Sequence, residues 1–164
     1  MSFGKIKRNI ADKWFSDCVR LRSNWHCQLC GKDKSEKKQG LQCSHLIGRS
    51  HYGTRYDPQC ALALCAHCHN YVTGHPVAHI NLWREVYGSV YGRDSSDSAL
   101  NALLQRSACK ERAQYARANT KAIAEYYRKV AKALAEEIEA DKGGDKKLYE
   151  FDSCRHREPT LGDT

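Results

Sequence analysis

No apolar run in this sequence approaches the roughly 18 residues of a membrane-spanning helix, which excludes a helical membrane protein. The first residues, Met1 to Arg8, are basic but no apolar stretch follows them, so no secretory leader is expected. Internal repeats are lacking too, which excludes solenoids and propellers. Nor is the chain short of apolar residues: at 41% hydrophobic and 28% charged it does not have the composition of a disordered protein. These gaps lead to the expectation of a cytoplasmic protein with no membrane partner. Disulfides seldom persist in that compartment. The nine cysteines in 164 residues therefore need another explanation, and metal is the first to consider. A chain of this length has room for one domain with an extension, burying roughly 68–70% of its unfolded surface.

The charge is unevenly spread. The net is +8, yet residues 1–60 hold 12 Lys/Arg against 5 Asp/Glu, while residues 99–164 hold 13 against 11. A cationic field in the first third favours a polyanion, most often nucleic acid. A solvated surface carrying a solubility charge would have the same composition.

Four regions are expected. Residues 1–24 predict a basic N-terminal helix, with Ile10, Trp14, Cys18 or Val19, and Leu21 on one face and Lys13, Arg20 and Arg22 projecting elsewhere. Residues 25–92 form the core: its first part is rich in Cys, His and Gly with only short apolar pieces, as suits strands and loops built around a metal. Its end, His79 to Tyr87, reads as a helix stopping at Gly88. Residues 99–142 are a helical extension. There Ile123, Tyr127, Val130, Leu134 and Ile138 mark an amphipathic stripe suited to packing or to a homodimer, and Gly143-Gly144 is the stop. Residues 143–164 read as a polar tail. The fold class is thus α+β. Trp14, Trp25 and Trp83 are expected to pack rather than to stack on bases.

Cys27-Gln28-Leu29-Cys30-Gly31 and Cys65-Ala66-His67-Cys68 carry the strongest signal. Thiolates two residues apart can grip one ion from a tight turn, and Gly31 permits that turn's backbone. One such pair would equally suit a redox dithiol. Two pairs separated by 34 residues supply the four sulfurs of a closed, tetrahedral structural zinc. Cys18, Cys109 and Cys154 have no spacing partner, whereas Cys43 and Cys60 lie inside the motif region.

Between the pairs lie Ser44-His45 and Arg55-Tyr56-Asp57-Pro58, and His69-Asn70 with Thr73-Gly74 follows the second pair. This order, CxxC, His, then CxxC-His, resembles the HNH (ββα-metal) endonucleases, and more narrowly the phage NinG/Rap recombination endonucleases. The resemblance spans roughly residues 10–138. It implies a small zinc-stapled ββα-metal core flanked by an N-terminal helix and C-terminal helices. It also implies hydrolysis of DNA phosphodiesters, in branched intermediates such as D-loops and Holliday junctions, inside a bacterial host cell.

By the same resemblance His45 is the general base, a role that suits an imidazole titrating near neutrality. His69 would hold a catalytic divalent ion, Mg2+ or Mn2+. Arg49 and Arg55 would clamp phosphates through bidentate guanidinium contacts. A symmetric junction would favour a homodimer through the C-terminal helices. Two positions depart from the family pattern. Ser44 stands where many members carry an acidic metal ligand, and Cys60 stands where the middle Asn braces the loop of the base. The second metal ligand is left with Asp57 and His51 as nearest candidates. The alternative is a non-catalytic, zinc-stabilised DNA-binding module.

Overall fold

Asn9 opens the first helix, α1 (Ile10–Arg22), through a reciprocal capping box: Asp12 N–H donates to Asn9 Oδ1 at 3.0 Å, and Asn9 N–H donates to Asp12 Oδ2 at 2.8 Å. The computed structural model describes residues 7–37, 40–91 and 96–141. Beyond α1 the order is β1 (Leu41–His45), a 3-10 turn (Pro58–Cys60), β2 (Ala61–Cys65), α2 (Ala66–Gly74), α3 (Pro76–Tyr91), α4 (Ser96–Ala108), α5 (Lys110–Ala118) and α6 (Thr120–Ala140). The protein is α+β and mostly helical, with one small antiparallel sheet that pairs Leu41 with Cys65 and His45 with Ala61. Among the described residues, no helix is long and apolar enough to cross a membrane.

The buried face of α1 is displaced by one residue from the expected one. Ala11, Phe15, Cys18, Val19 and Arg22 are buried, whereas Ile10 is 52% exposed. The rows i, i+4, i+7 and i+11 run beneath α6, which packs along α1. Arg22 does not project into solvent: it donates to the carbonyls of Pro58 (3.0 Å) and Ala61 (2.8 Å), capping the edge where β2 begins. Helix α6 buries Ala124, Tyr127, Ala131 and Leu134 within the chain, so the expected stripe is covered at Tyr127 and Leu134, while Ile123, Val130 and Ile138 stay partly exposed. Trp83 is fully buried and its Nε1–H donates to Gln59 O at 2.6 Å, as expected of a packing tryptophan. Helix α3 continues through Gly88 rather than stopping there. Residues 99–142 divide into α4, α5 and α6, because Asn119 ends α5 with its backbone and side-chain N–H groups both on Tyr115 O. The Gly143-Gly144 stop, the polar tail and Cys154 lie outside the described residues.

The loop from His51 to Asp57 is clamped between α1 and the C-terminal helices. Tyr127 donates its hydroxyl to Tyr56 O, and Arg106 Nε–H reaches Asp57 Oδ2 at 2.7 Å. Gly53 lies directly against the end of α4. A Cβ there would press into the Arg106 carbonyl oxygen and sit 3.1 Å from that of Ser107. Backbone cannot rotate away as a side chain can, so Gly53→Ala is expected to destabilise the protein by about 1–3 kcal/mol. A urea midpoint equal to wild type would show that the loop has more room than this.

Candidate metal centre and active-site cleft

The chain leaves α1 through two left-handed residues, Asn24 (φ 46°) and Trp25 (φ 59°), a reversal that carries Cys27 back towards the sheet. Gly31 (φ 69°) closes the Cys27–Cys30 turn, its N–H donating to Cys27 O at 2.8 Å. Gln28 ties this turn to the middle of β2 by exchanging hydrogen bonds with Ala63 (2.9 and 2.7 Å). Cys65 ends β2 and caps α2, which brings Cys68 round in the helix's first turn. The four sulfurs lie within 4.8 Å of one another, with Cys30 and Cys65 at 3.9 Å. Zinc at Zn–S ≈ 2.3 Å in a tetrahedron needs sulfurs roughly 3.8 Å apart. The thiols thus fit the ion in number, chemistry and spacing.

Their protonation argues the same way. Burial pushes Cys27 and Cys68 up. At Cys65 it is outweighed by donation from the Cys68 backbone N–H and neighbouring thiols, which pulls that group down to about 7. Four crowded thiols cannot all ionise without a cation among them, and a helix N-terminus favours the thiolates once one is there. Among the described residues, these four cysteines are the one cluster of three or more metal-type side chains that closes on a point.

A second locus lies at the other end of the sheet. His45 is the last residue of β1, half-buried, with its ring 5.6 Å from that of Phe15. Its Nε2 lies 3.0 Å from the Arg55 carbonyl oxygen. A carbonyl only accepts, so Nε2 carries the proton and Nδ1 is left as an acceptor. Nδ1 accepts instead from the Cys43 thiol, whose Sγ lies 3.9 Å away. Burial lowers the His45 pKa to about 4, with the Arg49 charge adding to the effect, so the ring is neutral at pH 7. The Cys43 thiol is pushed up to about 12 by burial and stays protonated.

His45 and His69 both line a polar cleft of about 240 Å³, shared with Arg8, Asp12, Cys43 and Arg49. The same two histidines border a more apolar hollow of about 350 Å³ that continues past Ser44 and His79 to Ile80 and Leu104. Burial, then the Arg49 charge, lowers the pKa of His69. Arg49 thus lies beside both histidines. Arg55 is fully buried, with Nε 2.8 Å and Nη2 2.6 Å from the carboxylate oxygens of Asp12. A guanidinium committed to an interior carboxylate cannot clamp phosphate, and the role expected for it falls away.

Asp57 is equally committed, to Arg106 and to the Gln59 N–H (3.0 Å), which removes it as a metal ligand. His51 is exposed and borders neither cavity described here. At Cys60, the carbonyl accepts from Leu46 N–H (2.7 Å) and the thiol donates to Ile47 O (3.6 Å). The loop after His45 is therefore braced, mainly through backbone.

Sequence reasoning missed His79. It is buried on α3, with Nε2 3.4 Å from Ser44 Oγ, and its pKa is lowered by burial and then by the His69 charge. Ser44, where many HNH proteins carry an acidic ligand, thus meets an imidazole within hydrogen-bond distance. Asp12 was missed as well, since charged residues are usually exposed. The sole available signal was the Asn9-x-x-Asp12 capping pattern. No family model matches the chain, and no curated protein or solved structure is significantly similar to it.

Proposed function

We propose that this protein is a metal-dependent DNA endonuclease of the HNH type, held in shape by a structural zinc on Cys27, Cys30, Cys65 and Cys68. The observation that carries the reading is His45: a neutral imidazole with Nε2 tied to a backbone carbonyl, on the wall of a cleft bearing two arginines. In that state Nδ1 is the basic nitrogen, and it takes a proton from a water that displaces the Cys43 thiol from it. The hydroxide attacks phosphorus in line, the P–O3′ bond breaks, and the products carry 5′-phosphate and 3′-hydroxyl ends. Arg49 and Arg8 hold the phosphate oxygens by charge-assisted hydrogen bonds. A divalent ion such as Mg2+ or Mn2+, with His69 as a ligand, would supply stabilisation of the charge that builds on phosphate and leaving oxygen. The substrate in this reading is branched DNA arising in phage recombination, inside the bacterial host.

A second reading is a zinc-stabilised module that binds DNA without cutting it. What favours it is that, among the described residues, no third metal-type side chain closes on His45 and His69. A nicking assay on a labelled four-way junction and a matched linear duplex, with Mg2+ or Mn2+, separates the two. Zinc-loaded wild type should cut, and His45→Ala should lose about 100- to 10,000-fold in rate, as for removal of a general base. Equal binding by both proteins with cutting by neither would favour the module.

A further inference from the structure

We propose that the buried Asp12–Arg55 ion pair positions His45, fixing its tautomer and ring direction through the Arg55 backbone carbonyl. The proposal rests on His45 being the base of the reading above. Three elements meet here: the imidazole belongs to β1, the carbonyl to the loop before the 3-10 turn, and the carboxylate to the first turn of α1. A loop carbonyl is a poor anchor unless something holds its own residue in place. Arg55 is held at three points: Nε and Nη2 on Asp12 (2.8 and 2.6 Å), and Nη2 again on Lys7 O (3.1 Å).

Asp12 is in turn fixed by its reciprocal bonds with Asn9. One turn further along α1, Phe15 lies against the His45 ring itself. The next loop residue, Tyr56, exchanges a hydrogen bond with Asn9 at 2.8 Å. Helix α1 therefore sets both the plane of the imidazole and the position of the acceptor that selects its tautomer.

A purely structural role explains the pair less well. Replacing a buried ion pair by apolar side chains is often neutral or stabilising, so stability alone is a weak reason to have one. This pair is also incompletely satisfied, since Arg55 Nη1 is buried without a hydrogen-bond partner. A group left in that state costs free energy. Rigid orientation of a reacting group is the return that geometry offers: a displacement of 1 Å can cost about 100-fold in rate.

The test compares zinc-loaded wild type with the double variant Asp12→Leu/Arg55→Met, which removes both charges together, and with Asp12→Asn, which keeps the shape of the site. Two-bond proton–nitrogen correlation on 15N-histidine protein reports the tautomer of His45, and single-turnover nicking reports its rate. Wild type should show one Nε2–H tautomer. A folded variant with full zinc should show a mixture of both, with kcat about 100-fold lower and KM for junction DNA unchanged. Retention of a pure Nε2–H tautomer and wild-type kcat in either folded variant overturns the proposal. If wild type cuts no DNA, the nuclease reading fails by itself, and the tautomer comparison still decides whether the pair positions His45.

Discussion

Removing zinc is expected to unfold the region from Cys27 to Cys68 outright. Between Trp25 and Gly40 the described chain has no helix or strand, apart from an isolated bridge between His26 and Asp33. The sheet has two strands of five residues each, and a lone pair of strands is marginal in water. The four thiols are what join the turn at Cys27 to the junction of β2 and α2. Structural zinc contributes about 10–16 kcal/mol in small metal-stapled folds. That matches or exceeds the net stability of about 5–15 kcal/mol of a whole domain.

A chelator strong enough to extract the ion should therefore abolish hydrogen-exchange protection across Leu41–His45 and Ala61–Cys65. It should also make four further thiols titratable. Cys27→Ser should reproduce the effect at any added zinc concentration that leaves wild type folded. Full protection of both strands in protein shown to contain no metal would mean that the apolar contacts of Leu41, Leu62 and Leu64 suffice, and that the cysteines serve some other purpose.

How much of this was legible beforehand depended on whether the information was local. The cysteine pairs could be read because ligand spacing is itself a local geometry: two residues between sulfurs, and a glycine to close the turn. His45 was singled out by the resemblance to HNH proteins, since His51 lies between the pairs as well. The amphipathic stripe of α6 announced itself by period, but only Tyr127 and Leu134 of it are buried; the other buried positions, Ala124 and Ala131, each lie one residue beyond a marked one. What could not be read is which charges go inside. Arg22, Arg55, Asp12 and Asp57 all look like surface residues in sequence, yet each is buried because its partner arrives from a distant segment. Asp12 meets Arg55 from 43 positions away, and Asp57 meets Arg106 from 49. The face of α1 was misjudged for a related reason: it has to bury Asp12 and Arg22 as well as Phe15, so its inner row is not its most apolar one. His79 gave no local sign, since a single histidine on an apolar helix belongs to no motif.

The second large effect is expected from breaking the Asp12–Arg55 pair on one side only. Asp12→Ala leaves a guanidinium that is fully buried and unpaired, and removes the acceptor for Asn9 N–H at the start of α1. Stranding one partner of a buried ion pair costs about 3–5 kcal/mol. The loss should appear as a lower urea midpoint with zinc content unchanged. Acid titration gives an independent check, and the signs agree. Burial raises the Asp12 pKa, but the Arg55 hydrogen bonds and the Asn9 N–H more than offset it, holding the carboxyl below its ordinary 3.8. A depressed carboxylate stabilises the fold fully above its unfolded pKa and progressively less as pH falls below about 4. His45, lowered from 6.5 to about 4, acts in an earlier window: the unfolded chain takes up its proton first, so stability falls between those values. Wild type should thus lose stability in two stages, from pH 6.5 to 4 and again below 4, while Asp12→Ala should keep the first and lack the second. Equal stability of wild type and Asp12→Ala at neutral pH would mean that solvent reaches Arg55 and that the pair is not the interior anchor of the loop.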